Sequence, residues 1–249
     1  PIGAAYMAAV AEAHGHEVAT LDLCFLEAPG PSLDERIAAF EPEAIGISLR
    51  NLDSSAYPQN TSYIDDYKTL VDAVRARSAA PVVLGGAGFT VMPGPIMEYL
   101  HADVGVIGEG ERAFPWVLEQ LAAGRELRPT LEFRCEKVNG GTCVKATARI
   151  AELDDAGVPL RGRFDQQLYY ERGGALNIQT KRGCIFECVF CSYPLIEGSK
   201  VRMRTAKAVV DEIQEARENQ GVRHWFFVDN IFNLPMRHAK EICEEIAAR

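Results

Sequence analysis

Three cysteines lie within eight residues of this chain, in the segment GCIFECVFC, with the spacing C-x3-C-x2-C. They are Cys184, Cys188 and Cys191. Thiolates are the usual ligands of iron–sulfur clusters, and a compact loop can hold three of them around one cubic [4Fe–4S] cluster. Three thiolates leave the fourth iron open, and such an iron can bind the amino and carboxylate groups of S-adenosylmethionine. The spacing therefore predicts a cluster that passes an electron to the sulfonium group of S-adenosylmethionine and thereby cleaves that molecule.

Two other interpretations of the cysteines remain open at this stage. A zinc site normally has four nitrogen or sulfur ligands in C-x2-4-C pairs, and the nearest further candidates are His224 and Cys243. A chance group of buried thiols is the other alternative. The seven cysteines are odd in number and do not form the even, spread-out pattern of a disulfide framework. This usage favours a reducing, cytoplasmic compartment.

The first 124 residues alternate helix and strand signals, which is typical of a doubly wound parallel sheet. Gly15 is expected to end the first helix, and Ser32 is a plausible N-cap of the second. The strands are predicted in the segments EVATLDLCF, AIGISLR, PVVLGG and VGVIGEG. Further helices are predicted over residues 64–77, over residues 96–100 and in the segment RAFPWVLEQLAAG.

The chain changes character after residue 124. The turn residues Asn139, Gly140 and Gly141 predict a β-hairpin, which a polar connector follows up to about residue 174. Strand and helix then alternate again over residues 175–249, through ALNIQT, AKAVVDEIQEARENQG, VRHWFFVDN and PMRHAKEICEEIAAR. Two βα units are too few to close a barrel, so we expect the sequence to be truncated at both ends.

The predicted strands of the first domain end in turns rich in glycine. Parallel sheets bind ligands beyond the carboxyl ends of their strands, and glycine lets a bulky ligand approach the backbone. Tight βα turns also need glycine, so a purely structural role is an equal alternative. The sequence contains no Walker-type G-x-x-x-x-G-K-[ST] segment, and the first strand is not followed by G-x-G-x-x-G, which disfavours a nucleotide site.

Composition limits the partners of this chain. The formal net charge of −9 and the pI near 5.2 argue against general nucleic-acid binding, which needs a basic surface. No apolar run approaches the roughly 18 residues that would predict a membrane span. The first residues resemble neither a signal peptide nor a transit peptide.

The segments TKRGCIFECVFCSYP, RMRTAKAVVDEI and FFVDNIFN resemble the radical S-adenosylmethionine superfamily over about 70 residues. The resemblance implies a partial TIM-like barrel, with Phe190 packing against the adenine. The usual proline after the first cysteine is replaced by Ile185. Asp229 either contacts the methionyl amino group or caps the end of its strand. The arginines of the segment VRMR either meet a substrate or cofactor carboxylate or are solvated.

The segments GAAYMAAVAEAHGHEVATLDL, AIGISLRN, PVVLGGAGFTVMP and DVGVIGEGE resemble the flavodoxin-like cobalamin-binding domain fused ahead of many radical enzymes. The motif D-x-H-x-x-G, which supplies a lower axial histidine, is absent, so cobalamin would bind without one. His14, His16 and His101 are expected at helix ends or on the surface. The insert over residues 51–63 would either cover the corrin or form a surface loop. The residues expected to line the cobalamin are Ser48, Leu49, Arg50, Asn51, Gly85, Gly86, Ala87, Gly88, Gly108, Glu109 and Gly110.

The two resemblances together imply a cobalamin-dependent radical enzyme that methylates an unactivated carbon. A 5′-deoxyadenosyl radical would remove hydrogen from a small-molecule or natural-product substrate, which would then take a methyl group carried by cobalamin. An electron donor such as flavodoxin or ferredoxin would be the partner. Cyclisation or rearrangement without methyl transfer, a radical enzyme without cobalamin, and a non-catalytic corrinoid sensor or carrier are the alternatives.

Overall fold

Short apolar runs form the centre of a five-stranded sheet in the computed structural model, which describes residues 1–26 and 29–249. Strands β1 (Ile45–Ser48), β2 (Val82–Gly85) and β3 (Val104–Ile107) are parallel neighbours. Successive residues of β2 enter different cores, because side chains alternate across a strand: Leu84 belongs to one hydrophobic cluster and Val83 to another. Burial on both faces explains why β2 and β3 are apolar runs instead of alternating patterns, whereas Gly46 and Ser48 of β1 are exposed.

The predicted hairpin forms the other end of the same sheet. It consists of β4 (Phe133–Val138) and β5 (Gly141–Ala146), and β5 pairs in parallel with β3, giving the order β1-β2-β3-β5-β4. Asn139 and Gly140 both have positive φ, 42° and 88°, as two-residue hairpin turns require. The hairpin is therefore part of the sheet and not of a linker, which corrects its predicted grouping with the connector.

Helices cover both faces of this sheet, as the doubly wound prediction requires. Val71 and Val74 of α3 pack in the same cluster as Leu84, whereas Ala113 and Val117 of α6 pack in the cluster of Val83. The helices of this part of the chain are α1 (Ile2–Ala13), α2 (Pro29–Phe40), α3 (Ile64–Arg75), α4 (Ala87–Val91), α5 (Pro93–Leu100) and α6 (Gly110–Ala122).

Two sequence predictions in this region are wrong. The segment EVATLDLCF forms no strand, because none of it joins a strand ladder among the described residues, although Leu21 packs against the apolar core. Helix α2 begins at Pro29 and not after Ser32, so Ser32 lies inside the helix. Proline is compatible with the first turn of a helix because its missing N–H is not needed there. Gly15, with φ of 84°, follows the end of α1 as predicted.

The remaining elements begin a second α/β arrangement. Strand β6 (Leu176–Ile178) pairs in parallel with β9 (Trp225–Phe227), and helix α9 (Ala206–Gln220) lies between them in sequence. Thr205 caps α9 by accepting a hydrogen bond from the Ala208 N–H, and Gly221 ends the helix in the left-handed conformation. The other elements are α7 (Gln166–Glu171), β7 (Lys181–Arg182), α8 (Tyr193–Glu197), β8 (Arg202–Met203) and α10 (Met236–Ala248), with short 3₁₀ turns at Leu153–Ala156 and Arg161–Arg163.

Contacts divide the described residues into two units. One comprises Ala11–Arg149, and the other comprises Pro1–Val10 together with Ile150–Arg249. The contacts separate the two units at residue 149. The domain boundaries predicted at residues 124 and 174 stay a prediction. In the residues described, no helix combines the length and the apolar character needed to cross a bilayer.

Candidate functional site

The structure brings the two predicted glycine turns and the segment that follows β1 to one edge of the sheet. Strands β1, β2 and β3 run in parallel side by side, so the segments that follow them are neighbours. The Leu49 N–H donates to the Gly85 carbonyl at 2.8 Å, and the Gly88 N–H donates to the Leu49 carbonyl at 2.9 Å. The turn after β3 joins through the Gly108 N–H, which donates to Thr90 Oγ1 at 2.9 Å.

Backbone packing requires glycine at position 86 and leaves little room for a side chain at position 88. Gly86 has φ of 98° and ψ of 174°, a region that only glycine commonly adopts. A Cβ atom on Gly86 would lie 2.5 Å from the Leu49 carbonyl oxygen, and one on Gly88 would lie 3.1 Å from the Arg50 carbonyl oxygen. Gly108 differs, because it has φ of 82° and nothing lies within 4 Å of the Cβ position. Of the three, only Gly108 borders open space.

The loop after β1 is held by a tyrosine that the sequence did not point to. Leu49 is fully buried, whereas Arg50 and Asn51 are exposed. Burial raises the pKa of Tyr67, while hydrogen bonds to the backbone of Arg50 and Asn51 act in the opposite direction. The Tyr67 hydroxyl therefore lies at the start of the loop and fixes it. An apolar helix position that carries a half-buried hydroxyl was the available signal.

The insert over residues 51–63 closes on itself. The Tyr63 N–H donates to the Leu52 carbonyl at 2.8 Å, and the Ser54 N–H donates to the Thr61 carbonyl at 2.9 Å. Tyr57 is 97 % exposed. The insert is thus an ordered hairpin-like loop that leaves from the carboxyl end of β1, where it was predicted either to cover a ligand or to be a surface loop.

The acidic and histidine candidates at this edge have structural positions. The Glu109 carboxylate is 9 % exposed and lies 3.7 Å from the Arg149 guanidinium. His101 ends α5 in the left-handed conformation, with φ of 53°. His14 follows the end of α1, and its N–H donates to the Ala11 carbonyl. The expectation that His14 and His101 lie at helix ends is confirmed.

The three predicted cluster ligands lie in the loop between β7 and α8. Cys184 is buried, Cys191 is partly buried and Cys188 is exposed. The Cys191 N–H donates to the Cys188 carbonyl at 3.0 Å, which makes a tight turn of the last two ligands. Phe190, expected to pack on adenine, is 89 % exposed. An aromatic ring so exposed beside thiols has its face available to a planar ligand.

The donor set of this loop fits an iron–sulfur cluster. Three thiols within one short loop, one of them exposed, match the ligands that such a cluster takes. In the described part of the chain, no group of three or more His, Cys, Asp or Glu side chains converges as a single metal ion would need. A cubic cluster does not require that convergence, because each thiolate binds a different iron.

The cysteines in the sheet have a different character. Cys143 is buried in β5, and burial raises the pKa of its thiol to about 11, with Glu136 adding to the rise. Burial also raises the pKa of Cys135 in β4. Because metal binding and redox chemistry need the thiolate, these two side chains are structural.

Asp229 follows β9 and lies at the end of β6. Its carboxylate accepts hydrogen bonds from the Thr180 N–H at 2.8 Å, the Thr180 hydroxyl at 2.6 Å and the Lys181 N–H at 3.2 Å. The buried Lys181 ammonium lies 3.8 Å from the same carboxylate. Burial lowers the pKa of Lys181 and Asp229 opposes that shift. These contacts match the strand-capping alternative for Asp229.

Glu197, the last residue of α8, was not among the sequence candidates. Its carboxylate accepts from the Gly183 N–H at 3.0 Å, from Asn230 Nδ2 at 3.0 Å and from Gln179 Nε2 at 3.2 Å. Burial raises the pKa of Glu197, whereas the hydrogen bond from Gly183 and the charge of Arg182 oppose that rise. The Asn230 Oδ1 atom is buried and has no hydrogen-bond partner in the described residues. No motif signals this carboxylate, since its partners come from two segments that are distant in the sequence, one with Gln179 and Gly183 and the other with Asn230.

In the segment VRMR, Arg204 is buried and Arg202 is partly buried, and both bind groups of the protein, which neither sequence alternative anticipated. Glu212 of α9 bridges two guanidinium groups, those of Arg204 and Arg161, each at 2.5 Å, and its side chain has no exposed surface. Burial would lower the pKa of Arg204, but the charge of Glu212 raises it overall. Arg202 donates to the carbonyls of Ile150 and Glu197, both at 2.7 Å. These arginines support the backbone around the cysteine loop.

Comparisons with known proteins agree with this architecture. Residues 1–118 match the family described as the B12 binding domain. Tryptophan 2-C-methyltransferase of Streptomyces laurentii is 29% identical, over 96% of this chain and 48% of its own length. Cytidylyl-2-hydroxyethylphosphonate methyltransferase of Streptomyces wedmorensis is 26% identical, over 97% of this chain and 53% of its own length. The chain therefore spans about half the length of these relatives.

A solved structure gives the same result across the whole chain. The radical S-adenosylmethionine methyltransferase TsrM from Kitasatospora setae, with tryptophan substrate and the analogue aza-SAM bound, matches with a TM-score of 0.85. The identity is 29%, and the match covers 100% of this chain and 48% of that one. A second structure of TsrM has cobalamin and a [4Fe-4S] cluster bound and matches with a TM-score of 0.82. The predicted fold, a doubly wound domain followed by the start of a radical S-adenosylmethionine barrel, is confirmed. The chain is thus similar over its whole length to radical S-adenosylmethionine methyltransferases, and its residues 1–118 match a B12 binding domain.

Proposed function

We propose that the full-length protein is a cobalamin-dependent radical S-adenosylmethionine enzyme that methylates an unactivated carbon of a small molecule. The observation that carries the proposal is the loop of Cys184, Cys188 and Cys191 in the same chain as a B12-type domain. The chain covers about half of the length of relatives that are named as methyltransferases.

The proposed cofactors are a [4Fe–4S] cluster, S-adenosylmethionine and cobalamin. When bound, the cluster would supply the electron that cleaves S-adenosylmethionine, and cobalamin would carry the methyl group. The three loop thiolates would hold the cluster. Phe190 would lie against the adenine, which its exposed ring supports. Asn230 Oδ1 is a buried acceptor without a partner among the described residues, and an N–H donor such as the methionyl ammonium would satisfy it.

Cobalamin would bind at the edge formed by the ends of β1, β2 and β3. Parallel sheets bind ligands in this position. Gly108, which borders open space, and the exposed residues Arg50 and Asn51 would contact the ligand. Gly86 and Gly88 would contribute by letting the turns pack closely against the backbone of Leu49 and Arg50. No histidine of this edge is placed as an axial ligand in the proposal.

We also propose a substrate class, an electron donor and a cellular location for the enzyme. The relatives named above are named as methyltransferases of tryptophan and of a phosphonate. A small-molecule or natural-product substrate is therefore proposed for this protein as well. An electron donor such as flavodoxin or ferredoxin would reduce the cluster. A reducing cytoplasmic location would keep the three thiols available as ligands. Nucleic acid is not expected as a partner, given the net charge of −9.

The test begins with the full-length protein, reconstituted anaerobically with iron, sulfide and hydroxocobalamin. We expect about four irons per chain, with the absorption of both an iron–sulfur cluster and a corrin. Cys188→Ala should lose the cluster spectrum. Cys243→Ala provides the matched control, because Cys243 is an exposed thiol of α10 outside the loop. A protein that holds about four irons but no cobalamin would refute the cobalamin half of the proposal.

The reaction is separated from its alternatives by labelled S-adenosylmethionine. The reduced protein is incubated with methyl-deuterated S-adenosylmethionine and with tryptophan as the first probe, followed by other small-molecule candidates. Deuterated product together with 5′-deoxyadenosine supports radical methylation. Label in the product without 5′-deoxyadenosine means methylation without hydrogen abstraction. 5′-Deoxyadenosine with a changed but unlabelled product indicates cyclisation or rearrangement, and neither product with any candidate indicates a sensor or carrier.

A further inference from the structure

The carboxylate of Glu197 connects the beginning of the cysteine loop to the end of strand β9. Its Oε2 atom accepts hydrogen bonds from the Gly183 N–H and from Asn230 Nδ2, both at 3.0 Å. Its Oε1 atom accepts from Gln179 Nε2 at 3.2 Å. Gln179 in turn accepts from Arg182 Nε at 2.9 Å. The Glu197 side chain therefore contacts residues on both sides of β7 and a residue beyond the carboxyl end of β9.

The residue that follows Glu197 continues the same contact. The Gly198 carbonyl accepts a hydrogen bond from the Cys184 N–H at 3.0 Å. Two successive N–H groups, those of Gly183 and Cys184, are thus bound by two successive residues at the end of α8. Because α8 begins directly after Cys191, the contact joins the two ends of the segment that carries all three thiols.

At Gly183 the backbone packs too closely against the Lys200 carbonyl to leave room for a side chain. Gly183 has φ of 93°, and a Cβ atom there would lie 2.1 Å from the Lys200 carbonyl oxygen. Only glycine is compatible with both conditions. The loop is therefore closed at its base by backbone contact, and the Glu197 carboxylate accepts the hydrogen bond of the Gly183 N–H.

Burying a carboxylate in order to accept a hydrogen bond costs free energy, because burial penalises the charged form of the carboxylate. Glu197 offers what a single backbone carbonyl does not: two oxygens that bind three donors from two different segments. Through these hydrogen bonds Glu197 joins Gly183, the residue before Cys184, to Asn230.

We propose that Glu197 is a positioning residue for the thiolate loop: it holds the first ligand and the end of β9 in the arrangement that keeps the cluster bound. The inference rests on the cluster of the proposed function. It assigns no chemical step to the carboxylate, which acts through the Gly183 N–H and Asn230.

The experiment compares wild-type full-length protein with Glu197→Ala, Glu197→Gln and Glu197→Asp after anaerobic reconstitution with iron and sulfide. Glu244→Gln is the control, since Glu244 is an exposed carboxylate of α10. The measurements are iron per chain, the electron paramagnetic resonance spectrum of the reduced cluster, the rate of iron loss to a chelator, and far-ultraviolet circular dichroism for folding.

We expect Glu197→Ala to lose iron to the chelator about tenfold faster than wild type or more, as the loss of hydrogen bonds to a charged acceptor implies. Its cluster spectrum should change while its circular dichroism does not. Glu197→Gln retains one acceptor oxygen and should recover most of the wild-type iron and spectrum. Glu197→Asp keeps the charge but withdraws it by one methylene, so it should behave like the alanine variant. Glu244→Gln should match wild type.

Wild-type iron content, loss rate and spectrum in folded Glu197→Ala would overturn the inference and leave the proposed function intact. Where Glu197→Ala does not fold, the same wild-type values in Glu197→Asp overturn it. A wild-type protein that binds no iron refutes the proposed function itself, so the two failures are distinguishable. Equal losses in the alanine and glutamine variants would also contradict a role that depends on acceptor geometry.

Discussion

Replacing Gly86 by alanine tests whether the glycines at the sheet edge serve packing. The backbone of Gly86 lies at φ of 98° and ψ of 174°, where a side chain costs about 1–3 kcal/mol. The new Cβ would also lie 2.5 Å from the Leu49 carbonyl oxygen and 3.0 Å from its carbonyl carbon. The hydrogen bond between Leu49 and Gly85 fixes that backbone, so an overpacking cost of about 1–3 kcal/mol adds to the strain. The expected total is about 2–6 kcal/mol of unfolding free energy.

Two control variants separate the contributions. Gly108→Ala introduces the positive-φ strain without a clash, because nothing lies within 4 Å of its Cβ position. Gly94→Ala introduces neither, and in helix α5 alanine is the better helix former. Unfolding of the Ala11–Arg149 unit is followed by hydrogen exchange and mass spectrometry of peptides that contain β1 and β2, as a function of urea. Equal destabilisation by Gly86→Ala and Gly108→Ala would refute the packing argument.

Three further predictions follow from buried groups. Glu212→Ala should lower the unfolding free energy by about 3–5 kcal/mol, because it leaves two buried guanidinium groups without their carboxylate. The control Asp211→Ala, at an exposed ion pair, should lower it by under about 1 kcal/mol. Equal melting temperatures of the two variants would contradict this expectation. Cys143, whose pKa is raised to about 11, should resist iodoacetamide at pH 8 while Cys243 reacts, as mass spectrometry of alkylated peptides can show. Because the folded pKa of Cys143 exceeds its ordinary value of 9.0, its contribution to stability is complete below pH 9 and is lost between pH 9 and about 11. Asp229→Ala should reduce soluble protein even without cofactors, since three donors lose their acceptor and the buried Lys181 ammonium loses its ion-pair partner. Normal folding with lost S-adenosylmethionine binding would favour the other role of this residue.

The features that the sequence predicted best are those with local causes. The apolar runs of β2 and β3 identify strands buried on both faces, and the turn residues Asn139 and Gly140 identify the hairpin. The cysteine spacing is also local, because ligands of one cluster can come from one short loop. The segment EVATLDLCF shows the limit of such reasoning: its residues suit a strand, but strand formation also needs a hydrogen-bonded neighbour.

The partners of individual side chains depend on tertiary structure. Glu197 contacts residues 14 and 33 positions away, and Glu212 pairs with an arginine 51 positions away. The arginines of the segment VRMR illustrate the same point, because their charge suggested either a ligand site or solvent, and packing placed them beside Glu212 and backbone carbonyls.

The sequence by itself therefore determined the thiolate loop, the doubly wound class of the first unit and the residues that follow its strands. Tertiary structure decided which glycines are needed for backbone packing, that the hairpin extends the sheet, and that Glu197 closes the base of the cysteine loop. The physical reason is the range of the interactions. Turn geometry and hydrophobic periodicity act over a few residues, whereas a buried carboxylate is satisfied only by donors that the fold brings to it from distant segments.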